Sequence, residues 1–178
     1  MERKMIATFN VESGKIMASD PCYGMDVWCN GSFCVRNGKY VMFLARGIEN
    51  ERWGERNFIM EIIHEDFAYL KDTEFDWEMC GGTFGVDSGT FGFFDYDYYE
   101  KFHSDGVDEK WYDRNVCDIE GNWNADIDDK GVWCQSGYGD GAYDVDALWD
   151  GDECVGLMVT FIYKEDDEDV ANWEEVSE

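Results

Sequence analysis

Apolar residues along the chain come in short runs separated by Gly, Asn, Asp and Ser, the punctuation of strands joined by tight turns. Residues 5–11 and 15–18 flank Ser13-Gly14 and predict a first hairpin, and residues 33–36 and 39–45 flank Asn37-Gly38 and predict a second. The apolar run 58–63 is too short for its period to decide, and its isoleucines favour a strand. Residues 82–86 and 90–94 flank Asp87-Ser88-Gly89, and residues 142–149 and 154–163 flank Asp150-Gly151-Asp152 in the clearest hairpin of the chain. Residues 96–103 and 108–114 suit short helices with Asp95 and Asp108 as N-caps, although Asp95-Tyr-Asp-Tyr-Tyr also alternates as a strand does. The pattern predicts a β-rich α+β fold, in which antiparallel hairpins form a sandwich or a partly closed barrel with a few short helices. One β-rich domain is expected over residues 1–163. Residues 164–178 are expected to be an acidic C-terminal tail or a short helix anchored by Val170 and Trp173.

One frame occurs twice. V-[DE]-S-G-x-Φ-x-x-x-D-x-x-Y, with Φ apolar, is met from Val11 to Tyr23 and again from Val86 to Tyr98. It describes a strand, a tight Ser-Gly turn, a second strand and an Asp able to bond the backbone amides of a turn. Two such units suit symmetry mates in one sandwich or barrel, and convergence on the same turn chemistry accounts for them equally well. A third string, S-G-Y-G-D-G-A-Y, runs from Ser136 to Tyr143.

With these strings the chain resembles a bacterial and phage family known only as domain of unknown function 4241. The likeness lies in S-G-x-Φ-x-x-x-D-P (Ser13 to Pro21), G-V-D-S-G-T-x-x-F-x-D (Gly85 to Asp95) and S-G-x-G-D-G-x-Y (Ser136 to Tyr143). It spans most of residues 11–163, with residues 46–79 outside the motifs. The resemblance implies a bacterial cytoplasm, of the host or under phage instruction, and carries no activity, substrate or catalytic residue.

Composition changes this picture in one respect. A 178-residue chain with 44% hydrophobic and 17% aromatic residues has ample core material, so its charge does not signal disorder. That charge is steeply lopsided. Residues 1–60 hold eight Lys/Arg against seven Asp/Glu, whereas residues 61–178 hold six against thirty-four, a net of −28. Such a surface repels nucleic acid and anionic membranes and attracts basic proteins. The N-terminus lacks the apolar stretch of a secretory signal, and no apolar run reaches membrane-spanning length. The seven cysteines are scattered without a C-x-x-C pair, and His64 and His103 sit outside any ligand spacing. Reduced thiols in a cytoplasm are expected, with no metal and no cofactor.

Several chemistries can be weighed on single residues. Val86-Asp-Ser-Gly-Thr90 matches one half-site of an aspartic protease, which needs a second carboxylate to share a proton. The repeat offers only Glu12 for that role, unless a second copy of the chain supplies another Asp87. A calcium loop beginning at Asp126 fails because Lys130 falls where an oxygen ligand is required. Ser136-Gly-Tyr-Gly lacks the surroundings of a nucleophile elbow, and the acid in Gly137-Tyr-Gly-Asp-Gly141 opposes phosphate binding.

Two candidate sites follow. Asp20, Asp87, Ser88, Asp95, Ser136, Asp140 and Tyr143 would line a pocket for a polar small molecule, or each would satisfy amides within a turn. Asp126, Asp128, Asp129, Asp144, Asp146, Asp150 and Asp152 would form an acidic surface for a basic partner, or would simply solvate the fold. Carboxylates at i and i+2 on a strand lie roughly 6.6–6.8 Å apart, so such rows present a ladder of negative charge. The leading expectation is a non-enzymatic acidic interaction protein, a phage-encoded inhibitor or nucleic-acid mimic binding a basic, nucleic-acid-handling protein. The alternative is a small-molecule-binding protein or hydrolase using the three-motif pocket.

Overall fold

A computed structural model describes residues 2–48, 52, 54–70, 74–125 and 127–163. Two antiparallel sheets pack face to face. The first holds β1 (Glu2–Val11), β4 (Gly38–Ile48), β5 (Glu55–His64), β11 (Glu153–Thr160), β10 (Gly141–Asp150) and β6 (Glu78–Val86), in the order β1-β4-β5-β11-β10-β6. The second holds β3 (Asn30–Cys34), β2 (Lys15–Ser19), β7 (Thr90–Asp95), β9 (Gly131–Gln135) and β8 (Trp123–Asn124), in the order β3-β2-β7-β9-β8. Both sheets keep free edge strands, so the fold is an α+β sandwich and not a closed barrel.

The core between the sheets draws on nearly every strand, with Phe9, Ile16, Tyr40, Met60, Phe84, Phe91, Val132, Val145 and Leu157 buried together. Both outer faces are also covered in part, which explains why the strands beneath the cover read as continuous apolar runs. On the six-stranded sheet, Phe67, Ala68, Phe75 and Trp77 pack over Val41, Phe43 and Ile63. On the five-stranded sheet the cover is helical. Helix α1 (Tyr96–His103) starts at Asp95, which accepts from the Tyr98 N–H. Helix α2 (Glu109–Tyr112) starts at Asp108, which accepts from the Trp111 N–H, and runs on into a π-helical turn, Asp113–Cys117. Tyr99 and Trp111 bury against Met17, Phe94, Ile127 and Trp133 beneath this layer.

Two expected hairpins are corners instead. The Ser13-Gly14 turn carries the chain from β1 in one sheet to β2 in the other, and Asn37-Gly38 carries it back from β3 to β4. The reason is where the turn amides go. The Glu12 and Ser13 N–H groups donate to Asp95 and the Gly14 N–H to Asn37 Oδ1, so the strands part where a hairpin would close. The β10–β11 hairpin forms as the pattern predicts.

The strands make two copies of one five-strand arrangement. β1, β2, β3, β4 and β5 correspond to β6, β7, β9, β10 and β11, and every neighbour relation is repeated. Registers repeat as well. Phe9 lies opposite Tyr40 as Phe84 lies opposite Tyr143, and Lys15 opposite Cys34 as Thr90 opposite Gln135. The bulge between Ala45 and Arg46 returns between Leu148 and Trp149. Ala18 pairs with its own counterpart Phe93, and Glu61 with its own counterpart Met158, so one local two-fold axis passes through both sheets. Among the described strands only β8 lacks a mate, and the helical layer between β7 and β9 has no counterpart between β2 and β3.

Candidate functional site

The two Ser-Gly corners are built by exchange across this axis. Gly14 and Gly89 both take left-handed backbone, φ 72° and 71°, a conformation that glycine enters without a Cβ clash. Asp20, fully buried at the end of β2, accepts from the Asp87 N–H at 2.9 Å, the Ser88 N–H at 2.8 Å, the Ser88 hydroxyl at 2.7 Å and the Cys22 N–H at 2.9 Å. Asp95, at the end of β7, accepts from the Glu12 N–H at 2.7 Å, the Ser13 N–H at 2.9 Å and the Tyr98 N–H at 3.2 Å. Each half's aspartate therefore closes the other half's turn. Because the Ser88 proton goes to Asp20, the Thr90 hydroxyl must donate the 2.6 Å bond to Ser88 Oγ.

This places Asp87 and Glu12 at opposite ends of the β2–β7 ladder, roughly 15 Å apart for a five-residue strand. Two carboxylates so placed in one chain share no proton. Asp87 instead accepts from the Tyr23 hydroxyl at 2.5 Å, and that bond is the main reason the phenol is pushed up to about 12. Glu12 pairs with Lys130 at 2.9 Å.

The third motif adjoins the Asp20 corner. The Ser136 N–H donates to the Gly89 carbonyl at 3.0 Å, the Ser136 hydroxyl to the Gly139 carbonyl at 2.8 Å, and the Tyr143 hydroxyl to the same carbonyl at 2.8 Å. Asp140 is exposed at the tip of this turn. The structure thus groups Asp20, Asp87 and Ser88 beside Ser136, Asp140 and Tyr143, and sets Asp95 at the far end of the strand pair. Sequence reasoning missed Tyr23, Thr90 and a second repeated string. Asn37-Gly-Lys-Tyr40 and Asp140-Gly-Ala-Tyr143 are mates, and the Tyr40 hydroxyl bonds the Arg36 carbonyl just as Tyr143 bonds Gly139. An [ND]-G-x-Y search would have found it.

The acidic candidates divide into three places. Asp128 and Asp129 stand in left-handed backbone before β9, where Asp128 accepts from the Tyr98 hydroxyl at 2.7 Å and from Arg114 at 3.0 Å, and Asp129 accepts from Asn10. Asp144 and Asp146 project from β10 on the outer face of the six-stranded sheet. Asp144 accepts from the Thr83 hydroxyl at 2.5 Å, while burial and then Asp144 raise the Asp146 carboxyl. Asp150 shares Arg36 with Glu153 at the β10–β11 turn, and Asp152 stands beside them at the mouth of a groove. Asp126 and residues 164–178 lie outside the described residues.

Five of the thiols and one histidine are poorly suited to nucleophilic work. Burial raises the thiols of Cys29, Cys80, Cys117, Cys134 and Cys154, which keeps them protonated at neutral pH. His103 is buried between Tyr99, stacked at 3.7 Å, and Trp111, and burial lowers its pKa. Among the described residues no cluster of His, Cys, Asp and Glu is placed to hold a metal ion, and no helix is long and apolar enough to cross a membrane. No family model matches the chain, and neither the curated proteins nor the solved structures include one similar to it.

Proposed function

We propose that this protein acts by binding, as an acidic non-enzymatic interaction protein that docks on a basic protein surface. The observation that carries the reading is the helical layer. Between residues 96 and 129 it exposes Asp97, Glu100, Asp105, Asp108, Glu109, Asp113, Asp118, Glu120, Asp128 and Asp129, against Lys101, Lys110 and Arg114. That layer has no mate in the other half, so the sandwich does not need it for its symmetry. The buried carboxylates point the same way, because Asp20 and Asp95 are committed to turn amides and are not free for acid–base work. The most concrete version is an inhibitor, encoded by a phage and working in the host cytoplasm, that occupies the nucleic-acid cleft of an enzyme. Charge of this density steers association and makes it steeply dependent on salt.

The test compares the wild-type chain with D108N/E109Q/D113N/D118N as bait in a bacterial lysate at low and at high salt. A basic protein held by the wild type at low salt, released at high salt and lost with the variant supports the reading. Capture that ignores both salt and the four substitutions refutes it.

A further inference from the structure

The local two-fold axis relates two niches at the open edges of the sandwich, and among the described residues only one of them holds a strand. In the filled niche β8 pairs with β9, Trp123 opposite Cys134 and Asn124 opposite Trp133. Trp123 there lies beneath the Arg46 guanidinium, 4.9 Å from its ring centre, and Arg46 also pairs with Glu55 at 3.0 Å. The mate of β9 is β3, which among the described residues pairs with β2 alone, with no strand on its other edge. Beside it runs a groove of about 440 Å³, against about 240 Å³ around Trp123. The groove is walled by Phe33, Cys80, Trp149 and Cys154, with Asp152 at its mouth.

The side chains of the two niches are complementary in kind. The registers put Trp149 where Arg46 stands and Asp152 where Glu55 stands. Among the described residues the open niche therefore has the ring and the acid, and lacks a strand and a cation on the ring, because the nearby Arg36 is held by Asp150 and Glu153. Trp149 is 44% exposed, a large ring left half in water.

We propose that the β3 edge receives an extended segment of a partner protein by strand addition, with an arginine of that segment laid on Trp149 and paired with Asp152. Main-chain bonds to β3 near Ser32 and Phe33 would supply affinity, as β8 supplies them to β9, and the arginine would supply selectivity. An acidic chain of net charge −27 favours such a cationic segment over an anionic one. The inference rests on the proposed binding role and names a second contact for it, away from the helical layer.

The test is a nitrogen-15 amide titration of the full chain with a five-residue peptide, Thr-Val-Arg-Val-Thr, and its Gln and Glu counterparts. Saturable shifts at Ser32, Phe33, Asp152 and the Trp149 indole are expected with the Arg peptide. Binding should weaken about two- to fivefold with the Gln peptide or with D152N, and further with the Glu peptide. W149A should weaken it as well, and D152N serves if that variant does not fold. Equal binding of the three peptides, or no saturable shift at β3, would overturn the proposal. Shifts confined to the helical layer would overturn it too, while leaving the proposed function standing. Shifts at β3 that appear on concentrating the protein alone, which mark pairing with a second copy, would also overturn it.

Discussion

The two halves of this molecule share a backbone and differ in their coats. Inward positions repeat in kind: Phe9 and Phe84, Val11 and Val86, Tyr40 and Tyr143 occupy matched places in the core. Outward positions do not. Val41 and Phe43, on β4, lie under Phe67, Phe75 and Trp77, while their mates on β10 are Asp144 and Asp146. The link from β2 to β3 is a short loop, and the corresponding link from β7 to β9 carries the acidic helical layer. Part of the charge step near residue 60 is therefore the difference between two coats on one pattern. Packing and turn closure fix the inner face, and the outer face is free to be sealed or charged.

The strongest challenge to this equivalence is to remove its reciprocal carboxylates. D20A and D95A should each destabilise the fold by about 3 kcal/mol, because each removes the buried carboxylate that accepts from two or more part-buried turn amides. Urea unfolding reads the effect, and a large loss in one variant beside a neutral result in the other would break the symmetry argument. The next probe separates the halves by pH. His103 lies only in the second half and burial lowers its pKa, so the unfolded chain takes up the proton first. Stability should be full above about pH 6.5 and fall as the pH drops below it, and H103L should flatten that slope in thermal melts. A slope that H103L leaves unchanged would assign it to other groups.

A finer comparison uses the matched hydroxyls. Y40F and Y143F each delete one bond to a carbonyl four residues back and should each cost about 1 kcal/mol in urea unfolding. The smallest effect is expected on the outer face, with the opposite sign. The Asp146 carboxyl is raised, so its charged form is disfavoured in the fold, and D146N should stabilise by a few tenths of a kcal/mol at neutral pH. The gain should vanish once acid protonates Asp146 in the wild type, and a destabilised D146N at pH 7 would contradict the assignment.

Much of this was legible in the sequence. The strand positions, the β10–β11 hairpin, the N-caps Asp95 and Asp108 and the duplicated V-[DE]-S-G frame can all be read from local chemistry. The corners cannot, because a strand, Ser-Gly and another strand look alike whether the strands pair or part. The deciding group for the first corner is Asp95, 83 residues from Glu12 in the chain. The second repeated string was hidden for a related reason. The helical layer shifts Asp140-Gly-Ala-Tyr143 out of step with Asn37-Gly-Lys-Tyr40, so one fixed offset does not align both motifs. For the candidate site, Asp is equally fit to cap a turn or face a ligand, and only the position of its amide donors distinguishes the two.

The exchanged aspartates also set the order in which the chain can finish. As synthesis proceeds from the N-terminus, the first corner emerges with the Glu12 and Ser13 amides still bare, and their acceptor is not made until residue 95. The edge strand β1 and its neighbours β4 and β5 can pair early, but the sandwich cannot close over them until β7 arrives. Maturation is thus tied to the second half leaving the ribosome, and a nascent chain stopped near residue 64 would leave its corner amides to water unless the Asp20 of another copy took the place of Asp95.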